Sequence, residues 1–100
     1  MRLIKRRSLL DFGDDHPIAR ASLLHLVRLI EVSEWKIPND VLASASKAKQ
    51  VTSGRIRFEV AGGQFRAIIA FDWARQIAFV KFVGTHAAYD KLDATTVSNF

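Results

Sequence analysis

The sequence predicts an α+β fold of two layers, helices packed on a small antiparallel sheet, because its hydrophobic period changes once along the chain. Up to about residue 45 the apolar residues recur at helical spacing, and from Arg55 onward they alternate. The punctuation agrees: Pro17 and Pro38 stand where helices begin, and Gly62-Gly63 separates two alternating runs. Helices followed by a run of strands describe a layered α+β architecture rather than an alternating α/β one.

Arg2–Arg6 reads as a short edge strand, and Ser8 as the start of a brief helix through Phe12 that Gly13 stops. Asp14-Asp15-His16-Pro17 is a helix start, since proline suits the first position and acids suit the positive helix end. The helix from Pro17 to about Ser33 carries Leu23, Leu26, Val27 and Ile30 on one stripe, which Leu24 and Leu29 broaden to the width of a helix packed on a sheet. A shorter helix runs from Pro38 or Asn39 to about Ala45, and the small, polar stretch Ser44–Gly54 reads as a loop. Arg55–Val60, Phe65–Phe71 and Ile77–Val83 are strands, and Thr85 to Leu92 forms a last turn or two of helix. With no internal repeat or linker, residues 1–100 read as one domain.

Composition narrows the function. Apolar residues make up 49% of the chain, enough for a core. The absence of cysteine excludes a disulfide framework and thiolate metal ligation, and fits a reducing cytoplasm. No histidines or acids stand at metal-ligand spacing, so neither a metal nor another cofactor is expected. The basic N-terminus lacks the apolar run of a signal peptide, and no stretch approaches the roughly 20 apolar residues of a membrane span. Fifteen Lys and Arg against ten Asp and Glu give a net charge of +5, which favours a polyanionic partner.

The placement of that charge says more. With Gly62-Gly63 as a two-residue turn, Val60 faces Phe65, Glu59 faces Arg66 and Arg57 faces Ile68. Ile56, Phe58, Val60, Phe65, Ala67, Ile69 and Phe71 then share the core face, which leaves Arg55, Arg57, Glu59 and Arg66 on the other. A four-residue loop from Asp72 to Arg75 adds Lys81 to that basic face, opposite Arg66; a three-residue loop would bury it in the core. Nearly one-signed charge across adjacent strands repels itself unless an anion is expected.

In Phe82-Val83-Gly84-Thr85-His86-Ala87-Ala88-Tyr89-Asp90-Lys91, Gly84 ends the strand and Thr85 caps a helix. His86 takes the first helical position, with Tyr89 and Asp90 three and four residues on, along the same side. A helix start offers free N–H groups to a phosphate, and histidine is the residue type of general acid–base chemistry near neutrality. On spacing alone His86 and Tyr89 are weak candidates. His16 is read as serving the helix start, and His25 as lying at the edge of the long helix.

Val83-Gly84-Thr85-His86-Ala87-x-Tyr89-Asp90-Lys91-Leu92-Asp93-Ala94 resembles the C-terminal signature of HigB-type toxins of the RelE-like class. Leu9–Phe12 with His16-Pro17, Trp35-Lys36 with Pro38 and Asp40, and Arg57-Phe58 with Phe65-Arg66 extend the resemblance over nearly the whole chain. The chain departs from the family at Glu59, where asparagine is usual, at Gly62-Gly63 in place of Gly-Asn, and at Phe65 in place of tyrosine. The resemblance implies a RelE-like fold and a metal-independent endoribonuclease that cleaves mRNA on the ribosome. It also implies a helix-turn-helix, HigA-like antitoxin, with operator DNA bound only through the toxin–antitoxin complex. His86, Arg66 and Tyr89 are the expected catalytic residues, and Arg55, Arg57, Lys81 and Lys91 the expected RNA and phosphate contacts. The competing expectation is a non-catalytic RNA- or protein-binding module, a decayed toxin in which Glu59 blunts the basic face. An enzyme acting on a small anionic metabolite has no motif in its favour.

Overall fold

The structure, a computed structural model, describes residues 1–100. Strand β1 (Arg2–Ile4) leads into helices α1 (Arg6–Asp15), α2 (Pro17–Val32) and α3 (Pro38–Ser44). Strands β2 (Lys49–Thr52), β3 (Arg55–Val60), β4 (Phe65–Asp72) and β5 (Ile77–Thr85) follow, and α4 (His86–Asp90) succeeds β5 directly. The five strands form one sheet in the order β1-β5-β4-β3-β2. The α+β class is as expected, but the sheet is mixed rather than antiparallel, because β1 pairs with β5 in parallel, Leu3 beside Ala78.

The α2 stripe is buried as its spacing requires: Leu23, Leu26, Val27 and Ile30, joined by Ala19, pack on the sheet. They meet Ile56, Phe58, Val60, Phe65, Ala67, Ile69 and Phe71, together with Ala78 and Val80 of β5, in one core cluster. Leu9 of α1 and Val41 of α3 close it on either side. Trp35 covers one end, its Nε1 donating to Ser44 Oγ at 3.1 Å and its ring edge-on to Phe71.

The helices differ from expectation in one place. α1 begins at Arg6 after Lys5, a left-handed residue whose carbonyl accepts from Ser8 N, and runs past Gly13 to Asp15. Gly13 lies inside the helix because α2 crosses over it: a Cβ there would sit 3.3 Å from Arg20 Cα. His16, between the helices, stacks its ring on Phe12 at 3.9 Å and meets Phe65 edge-on, so it packs as well as starting α2. α3 starts as Pro38 predicts, with the Asp40 carboxylate accepting from Lys36 N and Ile37 N.

Two strand features also depart from the sequence reading. Lys49–Thr52, expected within a loop, is an edge strand pairing antiparallel with β3, Gln50 beside Ile56. It is a ladder of backbone bonds with little burial, and its polar residues suit an edge. The loop after β4 has four residues, as expected, but comprises Trp73–Gln76, one position later. Ile69 then pairs with Val80 and Ile68 with Phe82, so Lys81 is an extra residue, a bulge, and Arg66 faces Gly84 rather than Lys81.

No helix is long and apolar enough to cross a membrane. Because Ile30 is fully buried between α2 and the sheet, Ile30→Ala is expected to cost roughly 2–5 kcal/mol, measured by urea denaturation.

Candidate functional site

The β3–β4 register follows the expected one throughout, from Arg55 beside Ala70 to Val60 beside Phe65. The turn bond runs from Gln64 N to Ala61 O, and Gly62 and Gly63 both have positive φ. Arg55, Arg57, Glu59 and Arg66 therefore share the sheet face turned away from the helices. Gly63 is needed for space as well as conformation. A Cβ there would come within 2.9 Å of Glu59 Oε1 and 3.3 Å of Arg66 Nη1, so both side chains fold over the turn.

These charges do not pair as the register suggests. Glu59 Oε2 takes its ion pair from Arg57 Nη2, at 3.2 Å, rather than from Arg66 across the strands. The Arg57–Glu59 pair is largely shielded from solvent, with side chains 16% and 22% exposed. Arg66 is the one charged residue in the buried class, at 8% exposure. Its Nη1 donates to the carbonyls of Gly63 and Phe65. The Nε groups of both Arg57 and Arg66 are buried without a partner. A buried guanidinium whose partners are neutral carbonyls, with a free N–H besides, is costly unless an anion completes it.

The bulge decides what surrounds Arg66. Val80 belongs to the core and Val83 packs against it, so Lys81 and Phe82 between them both turn to the open face. Lys81 Nζ lies 5.5 Å from the centre of the Phe79 ring on that face. The Phe82 ring folds back over Gly84, where an added Cβ would lie 2.6 Å from its Cζ. Gly84 thus sits within β5, not at its end, and its missing side chain is the space that Phe82 occupies next to Arg66. Tyr89 leans on Phe82, ring centres 6.4 Å apart.

α4 starts as its sequence predicts: Thr85 Oγ1 accepts from Ala88 N at 3.1 Å. His86 N donates to Gln64 O at 3.0 Å, which fastens the start of the helix to the β3–β4 hairpin. The His86 imidazole is open to solvent, with Nε2 3.3 Å from Asp90 Oδ2. His86, Tyr89 and Arg66 therefore gather at one end of the sheet. Lys91 ends α4 as an exposed residue, and Arg55 stands at the far end of the face with its guanidinium on the carbonyls of Ala94 and Val97. No three His, Asp or Glu side chains converge as a metal-holding group.

Residues 19–92 match the family described as HigB_toxin, the RelE-like toxic component of a toxin–antitoxin system. The chain belongs to this family. It is the toxin of a toxin–antitoxin system, and that implies an antitoxin as its partner. None of the curated proteins compared with it matches the chain. The matched stretch of this HigB-family toxin runs from within α2, at Ala19, past the end of α4, and includes Arg57, Arg66, His86 and Tyr89.

Sequence reasoning missed Phe82, because regular alternation with Lys81 on the open face puts its neighbour on the core face, whereas the bulge turns both outward. It also missed the commitment of Arg55, whose carbonyl partners lie about forty residues away. Gly84→Ala is expected to push the Phe82 ring aside and to destabilise the toxin by about 1–3 kcal/mol, read from thermal and denaturant melts.

Proposed function

We propose that this toxin is an endoribonuclease that cleaves mRNA by attack of a ribose 2′-hydroxyl on the adjacent phosphate, in the cytoplasm and during translation on the ribosome. The observation that carries this reading is Arg66, a buried guanidinium without a carboxylate partner and with a free Nε. A phosphodiester supplies the anion that this group lacks. Arg57 holds the same phosphate from β3 when Glu59 yields it, and the charge that develops on phosphorus-bound oxygen is stabilised by both. Lys81 and Lys91 add positive charge along the flanking RNA.

The nucleophile is already tethered to its target, so the protein has only to orient the linkage, neutralise charge and move two protons. The 2′-oxygen bonds to phosphorus as the bond to the 5′-oxygen breaks. A cyclic phosphate and a 5′-hydroxyl result. His86 is exposed and next to Asp90, a place from which it exchanges a proton with an incoming substrate. Tyr89, on Phe82, either assists that exchange or stacks on a base. The antitoxin in this reading is a helix-turn-helix, HigA-like protein, through which alone the complex reaches operator DNA.

The Glu59–Arg57 pair favours a second reading, a decayed toxin that binds RNA or protein without cutting. Primer-extension mapping of mRNA ends after induction separates the two. Cuts within translated frames are expected from the wild-type protein. Arg66→Ala and His86→Ala are each expected to reduce them by about 10²–10³-fold. Cleavage that survives both substitutions together would place the chemistry elsewhere, and binding without cut ends would establish the second reading.

Glu59 gives a prediction of opposite sign. Glu59→Asn frees Arg57 and removes a negative charge from the face. RNA affinity is expected to rise about fivefold, on the order of 1 kcal/mol, in filter binding at low salt.

A further inference from the structure

We propose that Arg55 is a positioning residue: it clamps residues 93–99 across β4 and thereby holds α4, with His86 and Tyr89, in place beside Arg66. The consequence for catalysis rests on the ribonuclease reading, whereas the clamp itself rests on geometry alone.

The segment after α4 is a strap with two fixed points. Arg55 Nη1 donates to Ala94 O at 3.1 Å and to Val97 O at 2.7 Å, which ties the strap to β3. Asn99 N donates to Lys81 O at 3.0 Å, which ties it to β5 at the bulge. β4 lies between those strands, so the strap crosses it on the open face. At the first fixed point the chain forms a turn around Asp93, which accepts from Thr95 N and Thr95 Oγ1 through its side chain and from Thr96 N and Val97 N through its carbonyl. The bond from the Thr95 hydroxyl, with the backbone bond from the same residue, holds the Asp93 carboxyl below its ordinary range.

α4 has need of such an anchor. Its five residues fall far below the roughly 12–15 that an isolated helix requires, so its position is set by what grips its ends. The sheet grips the first end, through Thr85 and the His86–Gln64 bond. The second end passes through Lys91 and Leu92 into the Asp93 turn, and Arg55 is what fixes that turn.

The same geometry argues against Arg55 as a contact to the phosphate held by Arg66. Its Nη1 is already taken by two carbonyls. Its partner on β4 is Ala70, four residues along the strand from Arg66, a separation of about 13 Å.

Tyr89 is the only tyrosine, so protein labelled with 3-fluorotyrosine gives one fluorine resonance that reports on α4 whether or not RNA is present. Arg55→Ala and Asn99→Pro, which cut the strap at its two ends, are each expected to shift or broaden that resonance. Each is expected to slow single-turnover cleavage of mRNA in programmed ribosomes about tenfold. Affinity for an uncleavable 2′-deoxy analogue should change less than about twofold, with an unaltered salt slope, because no phosphate contact is lost. The double variant should be no slower than either single one, since both act on one strap. An unchanged Tyr89 resonance in both variants would overturn the proposal. So would a loss of RNA affinity in Arg55→Ala with a salt slope smaller by about one, the signature of a phosphate contact. A wild-type protein that cuts no mRNA on translating ribosomes, but whose Tyr89 resonance still moves in the variants, would remove the ribonuclease reading and leave the clamp standing.

Discussion

The arrangement of this molecule depends on one extra residue in β5. Without Lys81 as a bulge, the register set by Ile69 and Val80 would continue to put Phe82 on the helix side and Val83 opposite Arg66. The inserted residue turns Phe82 outward, brings Gly84 to Arg66, and delivers His86 to the end of the β3–β4 hairpin. A period-two structure is shifted by one residue at this point, and everything after it changes face. The core is spared because Val80 and Val83 lie on either side of the shift and both still pack inward.

Beyond the bulge, the open face is an uneven balance of charge. Arg57 has a carboxylate, Arg55 has two carbonyls of its own chain, and Arg66 has only neutral partners. Three arginines that look alike in sequence therefore hold different work. One is kept in reserve by an ion pair, one is structural, and one is buried with bonding capacity unused. Protein interiors tolerate such an unsatisfied cation where function requires it and the rest of the fold supplies the stability. Here the support comes from a continuous core beneath β4, whose inward residues are almost wholly buried.

Much of this was legible beforehand, for physical reasons that can be named. The α2 stripe and the β3–β4 register follow from side-chain period, and Gly62-Gly63 pins the turn. Thr85 and His86 could be placed because capping is a local interaction. The bulge was not legible, since an unbroken alternation that keeps Lys81 on the open face satisfies the pattern of Ile77–Val83 without an inserted residue. Strand β2 was not, because an exposed edge carries no hydrophobic pattern. The Glu59–Arg57 pairing and the capture of Arg55 were out of reach as well. Both depend on which of several near neighbours a long side chain selects, and that choice is made by tertiary packing.

The parallel pairing of β1 with β5 has a consequence for how the toxin comes into being. Arg2–Ile4 find their partners only in Ile77–Phe79, so the two ends of the chain must meet before the sheet is complete. A chain emerging from the ribosome carries Arg57 and Arg66 while the strand that completes their surroundings is still unmade. His86, Tyr89 and the strap follow later still. Pairings of such long sequence separation form late. From the addition of Arg66 until that of His86, the growing polypeptide carries both arginines but neither His86 nor Tyr89. The gathering of Arg66, His86 and Tyr89 at one end of the sheet is complete only when β5 and α4 are in place.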